Sequence, residues 1–221
     1  AVVAMNRPSP ATVVFLDLVR FTSLADIHGD VSAADAADTL ARTVRGSLSE
    51  NMWLVKLLGD GALVIAERPA DGLRTAVSVV ERLHDGSTGL DVRGGIHFGP
   101  VVWRHEDVFG TAVNLSARLA ALADSGTLVM TRAVAEHGAD LGLDATPLGE
   151  QIIRGLRTPV EVFRIDPCRH DEAWVIDPVC GMRLREVDAL SPLGRVGFCS
   201  TRCQALFRAQ PEHEDGAPAE S

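Results

Sequence analysis

Tyrosine is absent from the 221-residue chain, and aromatic residues make up only 5% of it. No apolar run approaches the roughly 18 to 20 residues a membrane-crossing helix needs, although hydrophobic residues reach 46% through abundant alanine. Lysine and arginine are outnumbered, 21 against 30 acidic residues, and the formal charge of -9 argues against broad binding to a nucleic-acid backbone, which rests on clustered cations. The first ten residues, A-V-V-A-M-N-R-P-S-P, have neither the basic flank nor the apolar length of a secretory signal, and a cytoplasmic location is expected. No cysteine occurs before Cys168; the four are Cys168, Cys180, Cys199 and Cys203. In a cytoplasmic protein such clustering points to metal before disulfides, and it marks a boundary between a large and a small domain.

What is present is a regular alternation of short apolar runs. Residues Ala11 to Asp17 (A-T-V-V-F-L-D) read as a buried strand ending in a carboxylate, followed by a loop at 18–30. Ala33, Ala37, Leu40, Val44 and Leu48 recur at helical spacing. W-L-V-K-L-L and A-L-V-I-A flank Gly59-Asp60-Gly61, which predicts a hairpin with Asp60 at its tip. A helix is expected over 72–84, strands at about 91–97 and 99–104, a helix over 111–123, and strands at 127–130 and 159–165. Hairpins mixed with helices fit an α+β sandwich better than a purely parallel sheet. The expected organisation is an extension at 1–10, a large domain at 11–167, a linker at 168–173, a small cysteine-containing domain at 174–211 and a disordered tail at 212–221.

Asp17 at a strand end and Asp60 at a hairpin tip can meet if their strands are neighbours, and carboxylates from separate segments suit a pair of divalent cations. Each alone is equally a common turn residue. Their setting carries more: F-L-D-L-V-R-F-T (Phe15 to Thr22), V-K-L-L-G-D-G (Val55 to Gly61) and D-V-F-G-T-A-V-N-L-S-A-R-L (Asp107 to Leu119) occur in that order and together resemble the class III nucleotidyl cyclase family over about Val13 to Ile165. The resemblance implies a ferredoxin-like α+β sandwich and conversion of ATP into 3′,5′-cyclic AMP and diphosphate. It implies Asp17 and Asp60 as ligands of two Mg²⁺ or Mn²⁺ ions, and Lys56 and Asp107 as readers of the purine. Lysine can only donate, to N1 of adenine, and aspartate can accept from its 6-amino group, so ATP is expected over GTP.

The same resemblance assigns Asn114 to orienting the ribose and Arg118 to stabilising charge on the reacting phosphate; four residues apart on a helix, they share a face. It places backbone N–H groups of Phe21 and Thr22 near the β- and γ-phosphates, and Arg154 or Arg157 is a further phosphate candidate. Family sites are assembled from two such domains, so a head-to-tail homodimer is implied.

D-P-V-C-G-M (Asp177 to Met182) and G-F-C-S-T-R-C (Gly197 to Cys203) resemble the YHS domain, a TRASH-like metal-binding module, over about Val175 to Pro211. A unit this small rarely holds by burial alone, and a metal is a reasonable staple. Cys199 and Cys203 lie one turn apart if Ser200 caps a helix, whose N-terminus would ease thiol ionisation and favour a zinc or copper ion. Cys180 is the third candidate ligand; for the fourth, Asp177, Cys168 and His170 stay open, as does the reading of plain buried thiols or a disulfide. Two other functions compete with adenylate cyclase: a non-catalytic cyclase-fold scaffold for a metal-sensing module, and a guanylate cyclase. The first is disfavoured because all six catalytic positions are filled, the second by Lys56 and Asp107.

Overall fold

The computed structural model describes residues 9–84, 88–168, 174–185, 189–193 and 196–209. The start of the 85–90 connection, His170 with most of the expected linker, and the tail at 212–221 therefore lie outside the described residues. In chain order the elements are β1 (Ser9–Leu18), α1 (Phe21–His28), α2 (Asp30–Ser47), β2 (Met52–Leu58), β3 (Gly61–Ala66), α3 (Pro69–His84), β4 (Val92–Arg104), β5 (Asp107–Phe109), α4 (Thr111–Leu122) and β6 (Leu128–Thr131). There follow α5 (Arg132–Ala135), a 3₁₀ turn (Ala139–Leu141), β7 (Thr146–Gln151), β8 (Val160–Ile165), β9 (Trp174–Ile176), β10 (Arg183–Arg185), β11 (Leu190–Leu193), β12 (Val196–Phe198) and α6 (Thr201–Arg208). The chain divides into two compact units, residues 1–19 with 36–169 and residues 20–35 with 170–221.

The first unit is an α+β sandwich on a mixed sheet of order β2-β3-β1-β4-β6-β8-β7, with β5 added to β4. Its centre is β1, antiparallel to β3 on one side and to β4 on the other, while β4 and β6 run parallel. β1 is buried on both faces, and for that reason reads as a continuous apolar run rather than an alternation. Thr12 and Val14 point toward α3, where their methyls crowd the position a Cβ on Gly72 would take. Val13 points the other way, into a cluster with Ala112 of α4, and Ser116 Oγ of α4 donates to the Val13 carbonyl at 3.0 Å. Val13, Val14 and Leu16 are fully buried, each contributing roughly 1.5–3 kcal/mol of transfer free energy. Gly95 on β4 lets α4 lie directly on the sheet: a Cβ there would overlap the Ser116 carbonyl and the Ala120 amide.

Two expectations change. The strands expected at about 91–97 and 99–104 are one strand, β4, because Pro100 faces Pro10 across the ladder, a pair in which neither residue has an N–H to donate. The expected loop at 18–30 contains α1, whose two buried residues, Leu24 and Ile27, sit three apart on one face. Among the described residues no helix is long and apolar enough to cross a membrane.

The second unit joins α1 to the C-terminal segment. It holds two short antiparallel pairs, β9 with β10 and β11 with β12, and α6, whose cap Ser200 accepts the Cys203 N–H at 3.2 Å, as the sequence predicts.

Candidate active site

Asp17 is the next-to-last residue of β1, so its place in the sheet is set by register: it pairs with Gly61 of β3 and with Arg93 of β4. The Leu18 N–H donates to the Asp60 carbonyl at 2.9 Å, which draws the β2–β3 turn against the end of β1. Gly59 enters that turn at φ 67°, a conformation glycine takes without strain. Burial pushes the Asp17 carboxyl above its ordinary value; Arg93, hydrogen-bonded to it, pulls it back, and the nearby Asp60 charge pushes it up again. Arg93 is the residue the sequence reading missed. Its Nη2 and Nε donate to Asp17 Oδ2 at 2.9 and 3.1 Å. The signal was the arginine at the head of an apolar strand, D-V-R, but its partner lies 76 residues away. Two partly buried carboxylates that raise one another's proton affinity, one at a strand end and one in the adjoining turn, are a donor set suited to a hard divalent cation.

Lys56, the chain's sole lysine, donates to both carboxylate oxygens of Asp107 at 2.8 Å. It sits beside a register shift in β2, and Asp107 opens β5 after a tight turn in which His105 and Glu106 take φ 49° and 65°. Two central residues at positive φ match a hairpin turn whose twist suits the strands. Asp107 Oδ1 also accepts the Val108 N–H at 2.7 Å. The hydrogen bond from Lys56 holds the Asp107 carboxyl below the usual carboxylate range against its partial desolvation.

Asn114 is exposed and Arg118 half-buried, one turn apart on α4. Arg118 lies against Gly155, its Nη1 3.0 Å from where a Cβ on that residue would be. The loop carrying Arg154 and Arg157, both exposed, is thereby brought to the same helix. Phe21 and Thr22 open the first turn of α1, in the second unit, where the helical bond from Leu24 N–H to the Arg20 carbonyl is 3.0 Å.

The structure brings Asp17 to Asp60 and Lys56 to Asp107, but does not bring the two pairs together. Along β4, Asp17 pairs with the second residue, Arg93, while Asp107 pairs with the last, Arg104. The two pairs thus lie at opposite ends of one strand.

In the second unit Cys180, Cys199 and Cys203 converge, with Cys199 Sγ 3.5 Å from each of the other two sulfurs. Asp177 is no ligand candidate here. Its fully buried carboxylate accepts the N–H groups of Val179 at 2.9 Å, Cys180 at 3.3 Å and Cys199 at 2.8 Å, which fixes both cysteine-bearing turns. Cys168 is buried in the first unit, outside the cluster. Contact with Cys180 and burial push the Cys199 thiol up, and burial pushes Cys203 up to about 11.

Residues 3–167 match the family described as the adenylate and guanylate cyclase catalytic domain. A pH-sensitive adenylate cyclase of Mycobacterium tuberculosis is 29% identical over 73% of the chain and 43% of its own length. An adenylate cyclase of Streptomyces coelicolor is 34% identical over 57% of the chain and 33% of its own. The chain thus spans less than half the length of these curated relatives. A Trypanosoma brucei adenylate cyclase solved in its monomeric state superposes with a TM-score of 0.66 at 22% identity, covering 76% of the chain and 91% of that structure, which speaks for the fold. With three quarters of its length inside the family match, the chain belongs to the adenylate and guanylate cyclase catalytic domain family.

Proposed function

We propose that this chain is an adenylate cyclase that converts ATP into 3′,5′-cyclic AMP and diphosphate at sites shared by two copies. The observation that carries the reading is the Lys56–Asp107 pair, a donor beside an acceptor with Nζ 2.8 Å from both carboxylate oxygens. Adenine offers N1 as acceptor next to its 6-amino donor, the complement of this pair; guanine offers a protonated N1 and a carbonyl, which meets it donor to donor and acceptor to acceptor. In the reaction the ribose 3′-oxygen bonds to the α-phosphorus, the bond to the β-phosphate oxygen breaks, diphosphate leaves, and the hydroxyl proton passes to solvent.

Asp17 and Asp60 would hold two Mg²⁺ or Mn²⁺ ions, which when bound favour ionisation of the 3′-hydroxyl and neutralise charge on the leaving phosphates. Asn114 orients the ribose, and Arg118, a permanently charged planar cation, binds the reacting phosphate; Arg154 or Arg157 adds to the same phosphate from the adjoining loop. The amides of Phe21 and Thr22, at the N-terminus of α1, face the β- and γ-phosphates. Because the two half-sites lie at opposite ends of β4, a head-to-tail homodimer that sets the carboxylate end of one copy against the purine-reading end of the other completes two equivalent sites. A thiophilic ion, zinc or copper, at Cys180, Cys199 and Cys203 of a YHS-type module would adjust their output. ATP and reduced thiols coexist in the cytoplasm, where this chemistry fits.

Incubation with ATP or GTP and Mg²⁺ or Mn²⁺, followed by product analysis, tests the activity: cyclic AMP from ATP is expected, cyclic GMP would mark a guanylate cyclase, and no product from either would leave a scaffold. Mixing Asp17→Ala with Arg118→Ala tests the shared site. Each alone is expected to be inactive and the mixture to regain up to about a quarter of the wild-type rate, if copies pair at random and each site needs two chains. Variants that co-dimerise without regaining activity would overturn the shared-site reading.

A further inference from the structure

The cluster of thiols does not end with the cysteines. His28, the last residue of α1, places its Nε2 3.5 Å from Cys199 Sγ and 3.7 Å from Cys203 Sγ. The four ligand atoms, from His28, Cys180, Cys199 and Cys203, all lie within 4.8 Å of one another. A tetrahedral zinc site, with Zn–S near 2.3 Å and Zn–N near 2.0 Å, sets its ligand atoms about 3.8 Å apart between sulfurs and about 3.5 Å between sulfur and nitrogen. Four of the six edges, two sulfur–sulfur contacts of 3.5 Å and sulfur–nitrogen contacts of 3.5 and 3.7 Å, come close to those values. A disulfide would join two sulfurs at about 2.05 Å and leave the third thiol and the imidazole without a role.

The surroundings hold the four groups in place. Asp177 ties down the turns bearing Cys180 and Cys199, and Ser200 caps the helix bearing Cys203. Ile27, Cys180, Phe198 and Cys203 form one buried cluster, with Val179, Met182 and Phe207 packed on it. Arg20, at the start of α1, lies across Gly181 so closely that a Cβ there would overlap its Cδ. Both ends of α1 are therefore seated on the C-terminal segment within one compact unit.

We propose that His28 completes a Cys₃His site for a Zn²⁺-like cation, and that this ion, by fixing α1, makes cyclase output depend on its occupancy. Three thiolates and one imidazole in tetrahedral array select a borderline or soft cation over Mg²⁺ or Ca²⁺. α1 begins two residues after Val19, the end of the Asp17-Leu18-Val19 run, and carries Phe21 and Thr22 in its first turn, so an ion bound at its last residue would fix the helix on which the proposed phosphate contacts depend. The ion-binding half stands alone; the output half rests on the cyclase reading above.

Co²⁺ added to the full-length, reduced, metal-stripped protein reports the site directly. Wild type is expected to bind one ion with thiolate charge-transfer bands and the strong visible bands of tetrahedral Co²⁺. His28→Ala is expected to lose affinity at least about 100-fold and shift the visible bands, while His28→Cys keeps tight binding with a further red shift. His137→Ala, on the first unit, is expected to change neither. Co²⁺ binding by His28→Ala with unaltered affinity and spectrum would overturn the ligand assignment, and circular dichroism of both His28 variants separates that outcome from unfolding. Cyclic AMP formation in Mg²⁺, compared between zinc-loaded and zinc-stripped protein, is expected to differ at least about fivefold in wild type and not in His28→Ala. Equal wild-type rates would overturn the output half alone. Absence of turnover in every state would overturn the cyclase reading and with it the output half, whereas the Co²⁺ spectra would still decide the site.

Discussion

In the sheet unit, polar side chains are carried by an apolar scaffold; in the cysteine unit, polar side chains are much of the scaffold. Around β1 the buried residues are Val13, Val14, Leu16, Leu63, Ile65 and Ile96, and the functional groups sit where those strands end. Among the described residues, the unit built from α1 and the C-terminal segment has a far smaller apolar core, which includes Ile27, Val175 and Phe198, and its other buried groups include Asp177, Arg183, Cys180 and Cys203. Trp174 covers the Arg183 guanidinium at 4.4 Å, and burial lowers that group to about 10. A large core can place a carboxylate by register and leave it open for chemistry, whereas a small one must spend its polar groups on holding the chain together.

The contrast is broken most severely if chemistry and stability prove inseparable in the sheet unit. Asp60→Asn is expected to lower cyclic AMP formation about 10³-fold while moving thermal unfolding by less than about 1 kcal/mol, since Asp60 lies in a turn outside the core. A comparable loss of stability would mean that the carboxylate is structural. Next in size, Gly95→Val should destabilise the sheet unit by about 2–3 kcal/mol by forcing α4 off β4, measured by denaturant unfolding. Asp177→Ala should cost about 2 kcal/mol, because it leaves three N–H groups without their acceptor, and hydrogen exchange should show the loss confined to the second unit, α1 included. Exchange rising equally across β1 and β4 would erase the distinction between the units.

The smallest effect concerns Lys56 and Asp107. Their side chains are 37% and 32% exposed, so solvent screens the pair and Lys56→Gln should cost under about 1 kcal/mol at neutral pH. Asp107 has its carboxyl held below the ordinary value. Its contribution is therefore fully present above about pH 3.9, the unfolded value, and is lost as pH falls through the lower folded value. Lys56→Gln should remove that acid dependence while sharply reducing the preference for ATP over GTP; unfolding midpoints across pH 2 to 7 and paired product assays check both. Since Lys56 is the sole lysine, an amine-directed label offers a sharper probe: apart from the chain's terminal amine it has one target, and ATP should slow its labelling severalfold.

Much of the sheet unit was legible because its signals are local. β1, the Asp60 hairpin, α3 and α4 each announce themselves by apolar run, turn residues or helical spacing within a dozen or so positions. The sequence divides β4 at Phe98, but the ladder with β1 runs unbroken through Phe98, Gly99 and Pro100, which face Thr12, Ala11 and Pro10. Arg93 was missed because nothing near it in sequence names Asp17 as its partner. The cysteine spacing and the Ser200 cap were readable, but the candidates for a fourth ligand were all drawn from the C-terminal segment, and the histidine beside the sulfurs comes from 152 residues before Cys180, at position 28.

By itself the sequence determined which groups are available: two carboxylates at strand ends, one lysine, an asparagine and arginine a turn apart, and a late cluster of thiols, because residue type and short-range periodicity suffice for that. Tertiary structure alone decided the pairings, Asp17 with Arg93, Lys56 with Asp107, and His28 with the cysteines. Those depend on sheet register and on the return of the chain, which bring together residues 51 to 175 positions apart where no local preference can encode the contact.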